Sequence, residues 1–197
     1  DIRFSLRAPQ TEAFKRWFGD SKVVDENGEP RVMYHGTRQD VIEPRTRGNR
    51  NAFFVTPDPN FANKYALNDL DWFPGKGTTM TKGEEGANVL PVYIKASNPF
   101  DYENVEHMNK LVPQFKRILK LEEGYSNAQI DEVLNDFREG RWTAIEHAND
   151  YDLFETNGFD AFYVKEQGRK NLGVFRPEQV KSAIGNYGTY ESTSPDI

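Results

Sequence analysis

The chain has no cysteine among its 197 residues, which removes disulfide frameworks, thiolate nucleophiles and cysteine zinc sites together and leaves the redox compartment undecided. No run approaches the roughly 18 to 20 apolar residues that a membrane span requires, and the opening DIRFSLRAPQ lacks the apolar stretch of a secretion signal. Basic residues are outnumbered, 25 against 31 acidic ones, for a net charge of -6 and a pI near 5.2. That balance argues against broad nonspecific binding to nucleic acid but leaves room for a local basic patch. Histidine is scarce, with three residues; His107 and His147 fall in predicted helices without ligand spacing between them, so no metal site is read. Repeats and low-complexity tracts are absent. Phosphate-loop and dinucleotide glycine fingerprints are missing as well, because GKGTT has neither the glycine spacing nor a strand-to-helix context.

What is present suits one domain over residues 1–197, long enough to bury a core without metal or disulfide help. The chain lacks an initiator methionine, opens on DI and closes on SPDI, which reads as a piece cut from a longer polypeptide. TEAFKRWFGDS spaces Phe14, Trp17 and Phe18 for a short amphipathic helix with Thr11 as N-cap and Gly19 as stop. Two β-rich runs flank Asn27-Gly28, a hairpin signal, which makes Val32 to Tyr34 a strand that delivers the following His35-Gly36-Thr37 into a turn. The arginine-rich stretch with Arg38, Arg45, Arg47 and Arg50 reads as a loop. NAFFVT is a short buried strand, and PDPNFANKYALNDL a helix with Phe61, Ala62 and Tyr65 on one face.

Residues 71–88 are rich in glycine and polar groups and read as a mobile loop. VLPVYIKASNPFDY resumes strand character, with Pro91 suggesting an edge or a bulge. A helical block over about residues 103–156 holds two apolar stripes, one of Val105, Met108, Val112, Phe115, Ile118 and Leu119 with Pro113 as a kink, the other of Ile130, Val133, Leu134 and Phe137. FDAFYVKE and LGVF close the series as strands. The order predicts a mixed α+β domain with an inserted helical block rather than a doubly wound parallel sheet.

Taken singly, His35 reads as a structural histidine and Tyr65 as a core aromatic. The neighbours open a second reading: Gly36 permits close backbone approach to a ligand with its N–H and C=O available to a planar amide, Thr37 adds a hydroxyl, and Tyr65 with Phe53, Phe54 and Phe61 could wall a flat heterocycle. For the arginine loop the alternatives are a solvated surface and guanidinium contact with a pyrophosphate.

Together YHGT, AFFVTPDPNFANKYA and NLGVFRPEQVKSA resemble the three-part signature of ADP-ribosyltransferases of the diphtheria-toxin and poly(ADP-ribose) polymerase type. The fuller run, from FKRWFGDSKVVDENGEPRVMYHGT to PEQVKSAIGNYGTY, is similar to the ADP-ribosyltransferase domain of phage polyvalent proteins and covers most of the chain. The resemblance implies two packed antiparallel sheets with flanking helices and NAD as co-substrate without a metal. It implies mono-ADP-ribosyl transfer to a macromolecular acceptor, protein or nucleic acid, with no membrane role. The setting would be a bacterial cytoplasm, reached by phage delivery or secretion. A noncatalytic NAD or ADP-ribose module and an NAD glycohydrolase are the rival readings, and oligomeric state is not readable.

Carried over residue by residue, the resemblance has His35 bond the adenosine ribose and the Gly36 backbone grip the carboxamide. Tyr65 stacks on nicotinamide with Phe53 or Phe54 opposite, and Thr56 supports the site. The family's catalytic glutamate falls on Asn171 here. With four residues, Gln167 to Lys170, as a hairpin loop, Glu166 would face Asn171 across the turn and supply the missing carboxylate. Glu178 and Gln179 are open to two readings, an acceptor-orienting role or a cap on the turn after Pro177.

Overall fold

Proline at position 30 decides how far the first turn can grow. In the computed structural model, which describes residues 11–37, 52–67 and 88–184, the Asn27-Gly28 turn forms with Gly28 at φ 80°. Asp25 holds it, its Oδ1 accepting the N–H groups of Asn27 at 2.8 Å and Glu29 at 3.0 Å. The hairpin nevertheless amounts to one bridge, Val24 to Pro30, because Pro30 has no N–H to continue a ladder. The predicted strand is displaced accordingly: β1 is Met33–Thr37 and carries His35, Gly36 and Thr37 within it rather than into a turn.

The described residues divide into two compact units. The first comprises 11–37, 54–67, 88–95 and 176–184. Its helix α1 (Glu12–Phe18) starts on Thr11, whose hydroxyl accepts the Phe14 N–H at 3.2 Å, and stops at Gly19 with φ 54°. Phe14, Trp17 and Phe18 are buried in a cluster with Tyr93, and the Trp17 indole donates to the Glu178 carbonyl at 3.0 Å. The sheet of this unit is antiparallel in the order β1-β3-β7, with β3 at Asn88–Ile94 and β7 at Val180–Ser182.

Pro91 thus lies in the central strand, against expectation. The strand pairs Tyr34 with Pro91, while the N–H and C=O of Tyr34 are turned away to Thr56, at 2.8 and 2.9 Å. Pro91 therefore owes β1 no donor. On its other side β7 has ended, and the Pro91 carbonyl accepts from Ala183 at 2.9 Å. Helix α2 (Pro59–Leu67) lies against β1 and β3. Asp58 caps it, accepting the N–H groups of Asn60 at 2.9 Å and Phe61 at 3.3 Å.

The second unit comprises 52–53 and 96–175. Its sheet has the order β2-β6-β5-β4, where β2 is Phe53–Val55, entering with Phe53, β4 is Pro99–Phe100, β5 is Ala161–Glu166 and β6 is Arg169–Val174. The α+β class holds, with one correction to purely antiparallel sheets: β4 runs parallel to β5, Pro99 facing Ala161. Asp160 fixes that crossover, accepting the N–H of Ser97 at 2.7 Å and of Asn98 at 3.0 Å.

The helical block holds three helices rather than two, α3 (Val105–Leu121), α4 (Asn127–Arg138) and α5 (Trp142–Asn149). Helix α3 runs on through Pro113 and buries Leu111, Phe115 and Leu119, while Val105, expected inside, is 70% exposed at the first turn. Helix α4 begins on a reciprocal Ser126/Gln129 capping box and buries Ile130, Leu134 and Phe137. Phe100, Phe137, Phe154 and Phe162 join the block to the sheet, with ring centroids of Phe154 4.7 Å from Phe100 and 5.0 Å from Phe162. Among the described residues no helix is long and apolar enough to cross a membrane. The arginine-rich loop from Arg38 to Arg50, and residues 71–87 of the glycine-rich segment, lie outside the described residues.

Phe154 is fully buried where three aromatic contacts meet. Phe154→Ala is expected to destabilise the fold by about 3–5 kcal/mol, read from the midpoint of denaturant unfolding.

Candidate functional site

A strand that carries glycine at its centre can take a helix closer than any other residue allows. A Cβ on Gly36 would stand 1.9 Å from the Ala62 carbonyl oxygen and 3.0 Å from the Tyr65 Cβ. The glycine is thus demanded by α2 itself, a reason that the ligand-approach reading did not contain. Its backbone still suits a ligand. In an antiparallel strand alternate residues turn their peptide groups to opposite edges. Since Tyr34 addresses Thr56 rather than β3, the N–H and C=O of Gly36 turn to the same edge, where the Tyr34–Thr56 bridge is the pairing seen among the described residues.

His35 sits at that edge. Its Nδ1 is 2.7 Å from the Phe54 carbonyl oxygen. A carbonyl only accepts, so Nδ1 carries the proton and Nε2 of the neutral ring is an acceptor. Burial pushes the imidazole below its ordinary value of 6.5, outweighing the Phe54 bond that pulls the other way. His35 is therefore neutral at pH 7, presenting an acceptor suited to a ribose hydroxyl.

Tyr65 stands on α2 beside Gly36, 37% exposed, its ring edge-on to Phe61 with centroids 5.3 Å apart at 86°. Of the helix residues expected on its face, Phe61 and Ala62 are buried instead, so Tyr65 marks the border of the core and not its interior. Strand alternation sends Phe53 and Phe54 to opposite faces. Phe53 is buried and belongs to the second unit, whereas Phe54 is half-buried and shares the first unit with His35. Phe54 is the better candidate for an opposing wall. Thr37 ends β1 opposite Asn88. The buried Thr56 hydroxyl accepts the Asp58 N–H at 3.2 Å and so ties β2 to the start of α2. His35, Gly36, Phe54, Thr56 and Tyr65 are therefore brought together in the first unit.

Glu166 and Asn171 lie in the second. The hairpin that carries them has a two-residue loop, Gln167-Gly168, with φ 45° and 76°, a type I′ geometry. Arg169 and Lys170, expected in the loop, join β6. Glu166 consequently faces Arg169, and Asn171 faces Val164, which corrects the expected Glu166–Asn171 pairing. The two still meet on the diagonal: Asn171 Nδ2 donates to Glu166 Oε2 at 3.0 Å, with both side chains buried. Lys170 points to the other face, bonded to Asp101 at 2.8 Å and Glu103 at 2.7 Å.

The remaining polar residues singled out in the sequence bond within the fold. Gln179 accepts the Arg176 N–H at 2.9 Å and donates to the Lys95 carbonyl at 3.0 Å. His107 Nδ1 accepts the Asp101 N–H at 3.0 Å, and His147 meets Glu123, which also accepts from Tyr151 at 2.6 Å. The Phe54 carbonyl and the Asp58 cap escaped sequence reasoning. The first is a backbone group with no residue signature; the second was signalled by Asp58 directly before Pro59.

The histidine bonded to a backbone carbonyl and the glycine on one strand, with the exposed tyrosine on the next helix, thus stand together in an α+β chain. The family described as ADP-Ribosyltransferase in polyvalent proteins matches residues 25–190, and the chain belongs to it. ADP-ribosyltransferases use NAD as co-substrate. No curated protein and no solved structure matches the chain.

Gly36→Ala is expected to cost at least about 3 kcal/mol, because a backbone carbonyl cannot step aside for the new methyl group. Thermal unfolding and the near-ultraviolet tyrosine signal report it.

Proposed function

We propose that this chain transfers a single ADP-ribose unit from NAD to a macromolecular acceptor and releases nicotinamide. The observation that carries the reading is the conjunction, on β1 and the helix packed against it, of the Gly36 peptide groups, the His35 acceptor and the partly exposed Tyr65, in a chain of this family. His35 Nε2 accepts from the adenosine ribose. Gly36 pairs with the carboxamide, whose carbonyl accepts from its N–H and whose amino group donates to its C=O. Tyr65 stacks on the nicotinamide ring, with Phe54 opposite, and fixes its plane.

The bond to be broken joins C1′ of ribose to the pyridinium nitrogen. Its electron pair leaves with nicotinamide, which departs neutral, and positive charge develops at C1′. The acceptor supplies a lone pair to C1′ and its proton passes to solvent. The residues of the chain hold the dinucleotide and orient the leaving ring, so that catalysis rests on positioning and charge stabilisation rather than on a covalent intermediate. Asn171, an amide where the family has glutamate, favours one rival: a silent NAD-binding module.

Labelled NAD incubated with a bacterial lysate is expected to mark protein or nucleic acid in the presence of the chain. Nicotinamide release without a labelled macromolecule would point to a glycohydrolase, and binding without release to the silent module. Tyr65→Ala is expected to weaken NAD binding by about tenfold to a hundredfold, as loss of a stacked base does, measured by calorimetry. His35 sets a pH dependence. Its depressed folded value means that NAD affinity is flat from neutral to alkaline pH and falls in acid, when Nε2 becomes a donor. The same shift makes fold stability complete above the ordinary value of 6.5 and lower as pH drops beneath it, since the unfolded chain protonates first. Titrations of NAD at stepped pH, with His35→Gln as control, check both.

A further inference from the structure

The acidic total of the chain conceals a local reversal of sign within the second unit. Across residues 103–156 acidic side chains outnumber basic ones, twelve to six. Four of those six cations, Lys110, Lys116, Arg117 and Lys120, stand on α3, and all four are exposed. At 3.6 residues per turn they occupy an arc of roughly 120°, opposite the buried Leu111, Phe115 and Leu119. Glu106 shares that arc one turn before Lys110, and beyond it the only charges on the helix are positive.

The fold does not account for the arrangement. Acidic partners are plentiful in the block, and Arg141 takes two of them, Asp136 at 3.1 Å and Glu139 at 2.9 Å. Among the described residues none of the four α3 cations forms an ion pair. Lys110 donates instead to the Asn157 carbonyl at 2.7 Å and lies over the Phe159 ring at 5.3 Å, which holds its ammonium in place with donors to spare. Lys120 reaches Asn127 Oδ1 at 3.5 Å. The helix macrodipole favours cations within the last turn, which covers Lys120 but neither Lys110 nor Lys116. Like charges four residues apart, as Lys116 and Lys120 are, work against a helix, and no acid among the described residues offsets them.

We propose that this face of α3 is a docking surface for the phosphate backbone of double-helical nucleic acid, bound without regard to sequence. Protein interfaces are depleted in lysine and centre on apolar and aromatic side chains. The large apolar side chains exposed on α3, Val105 and Leu121, stand at its two ends, about 24 Å apart at 1.5 Å per residue. Single strands are held by stacking of bases on aromatic rings, and the arc carries none, Phe115 being buried on the opposite side. Phosphates match what is present: ammonium and guanidinium groups along about 15 Å of helix, from Lys110 to Lys120. Neutralising phosphates releases their counterions, so the attachment weakens steeply with salt.

The test is fluorescence anisotropy of a labelled DNA duplex of mixed sequence, titrated with the whole chain. No NAD is present, so the outcome is separate from that of the transfer assay. Expected at low salt is saturable binding with a Kd of about 100 µM or tighter, and a slope of log K against log salt of about −3. Lys116→Gln together with Arg117→Gln is expected to weaken binding at least about tenfold and to bring the slope to about −1, with the helical signal in circular dichroism unchanged. Lys15→Gln together with Lys22→Gln makes the same change of charge at exposed positions of the first unit, and is expected to leave Kd within about twofold. Absence of saturable binding overturns the proposal. So does duplex binding that the α3 pair leaves unchanged, or that the control pair weakens equally. Tighter binding of the single strand overturns the choice of a double helix, and equal binding of polyglutamate overturns the choice of nucleic acid.

Discussion

The contact between Gly36 and the Ala62 carbonyl governs the first unit. No side chain fits between β1 and α2 at that point, so the helix settles directly on the strand. Two things follow from one missing methyl group. Tyr65 stands over the face of β1 at Gly36, partly exposed, and the Gly36 peptide groups turn to the edge that Tyr34 shares with Thr56. His35 completes the edge through a bond to backbone, Nδ1 to the Phe54 carbonyl, which sets its tautomer and its rotamer together. The imidazole is thus an acceptor at neutral pH, pushed below its ordinary value by burial against the pull of the Phe54 bond.

The second unit follows different physics. Its aromatic cluster supplies rigidity, and the type I′ turn converts that rigidity into a register. Because side chains alternate faces along a strand, shifting the hairpin by one residue would move Glu166 and Asn171 to opposite sides of the sheet. Lys170 shows the other outcome of the same alternation: it lies on the opposite face, between Asp101 and Glu103 and over the Tyr102 and Tyr163 rings, at 5.3 and 4.9 Å.

Elements set by local chemistry were legible in the sequence. The Thr11 cap, the 3.6-residue spacing of Phe14, Trp17 and Phe18, and the stripe of Ile130, Leu134 and Phe137 all fold as their patterns require. What was not legible depended on pairing between distant segments. Pro91 reads as an edge residue until one sees that Tyr34 turns away from it and that β7 stops just short of it. The length of the β5–β6 loop turned on Gln167 adopting φ 45°, which a glutamine does not advertise. Helix α3 forms where the apolar spacing puts it, but Val105 opens it 70% exposed and Leu111, outside the predicted stripe, is buried. At the candidate site, His35, Gly36 and Tyr65 were singled out by residue type and order alone. The Phe54 carbonyl that orients His35 was not, because backbone groups leave no trace in composition.

NAD bound at the β1 edge would touch His35 and Gly36 together. The most direct measurement is nuclear magnetic resonance of isotope-labelled protein during an NAD titration. Expected is a neutral His35 protonated at Nδ1 before addition, then shifts of its Nε2 resonance and of the Gly36 amide that saturate together, while the ring signals of His107 and His147 stay in place. Saturable binding of NAD that leaves both His35 and Gly36 unmoved would contradict it.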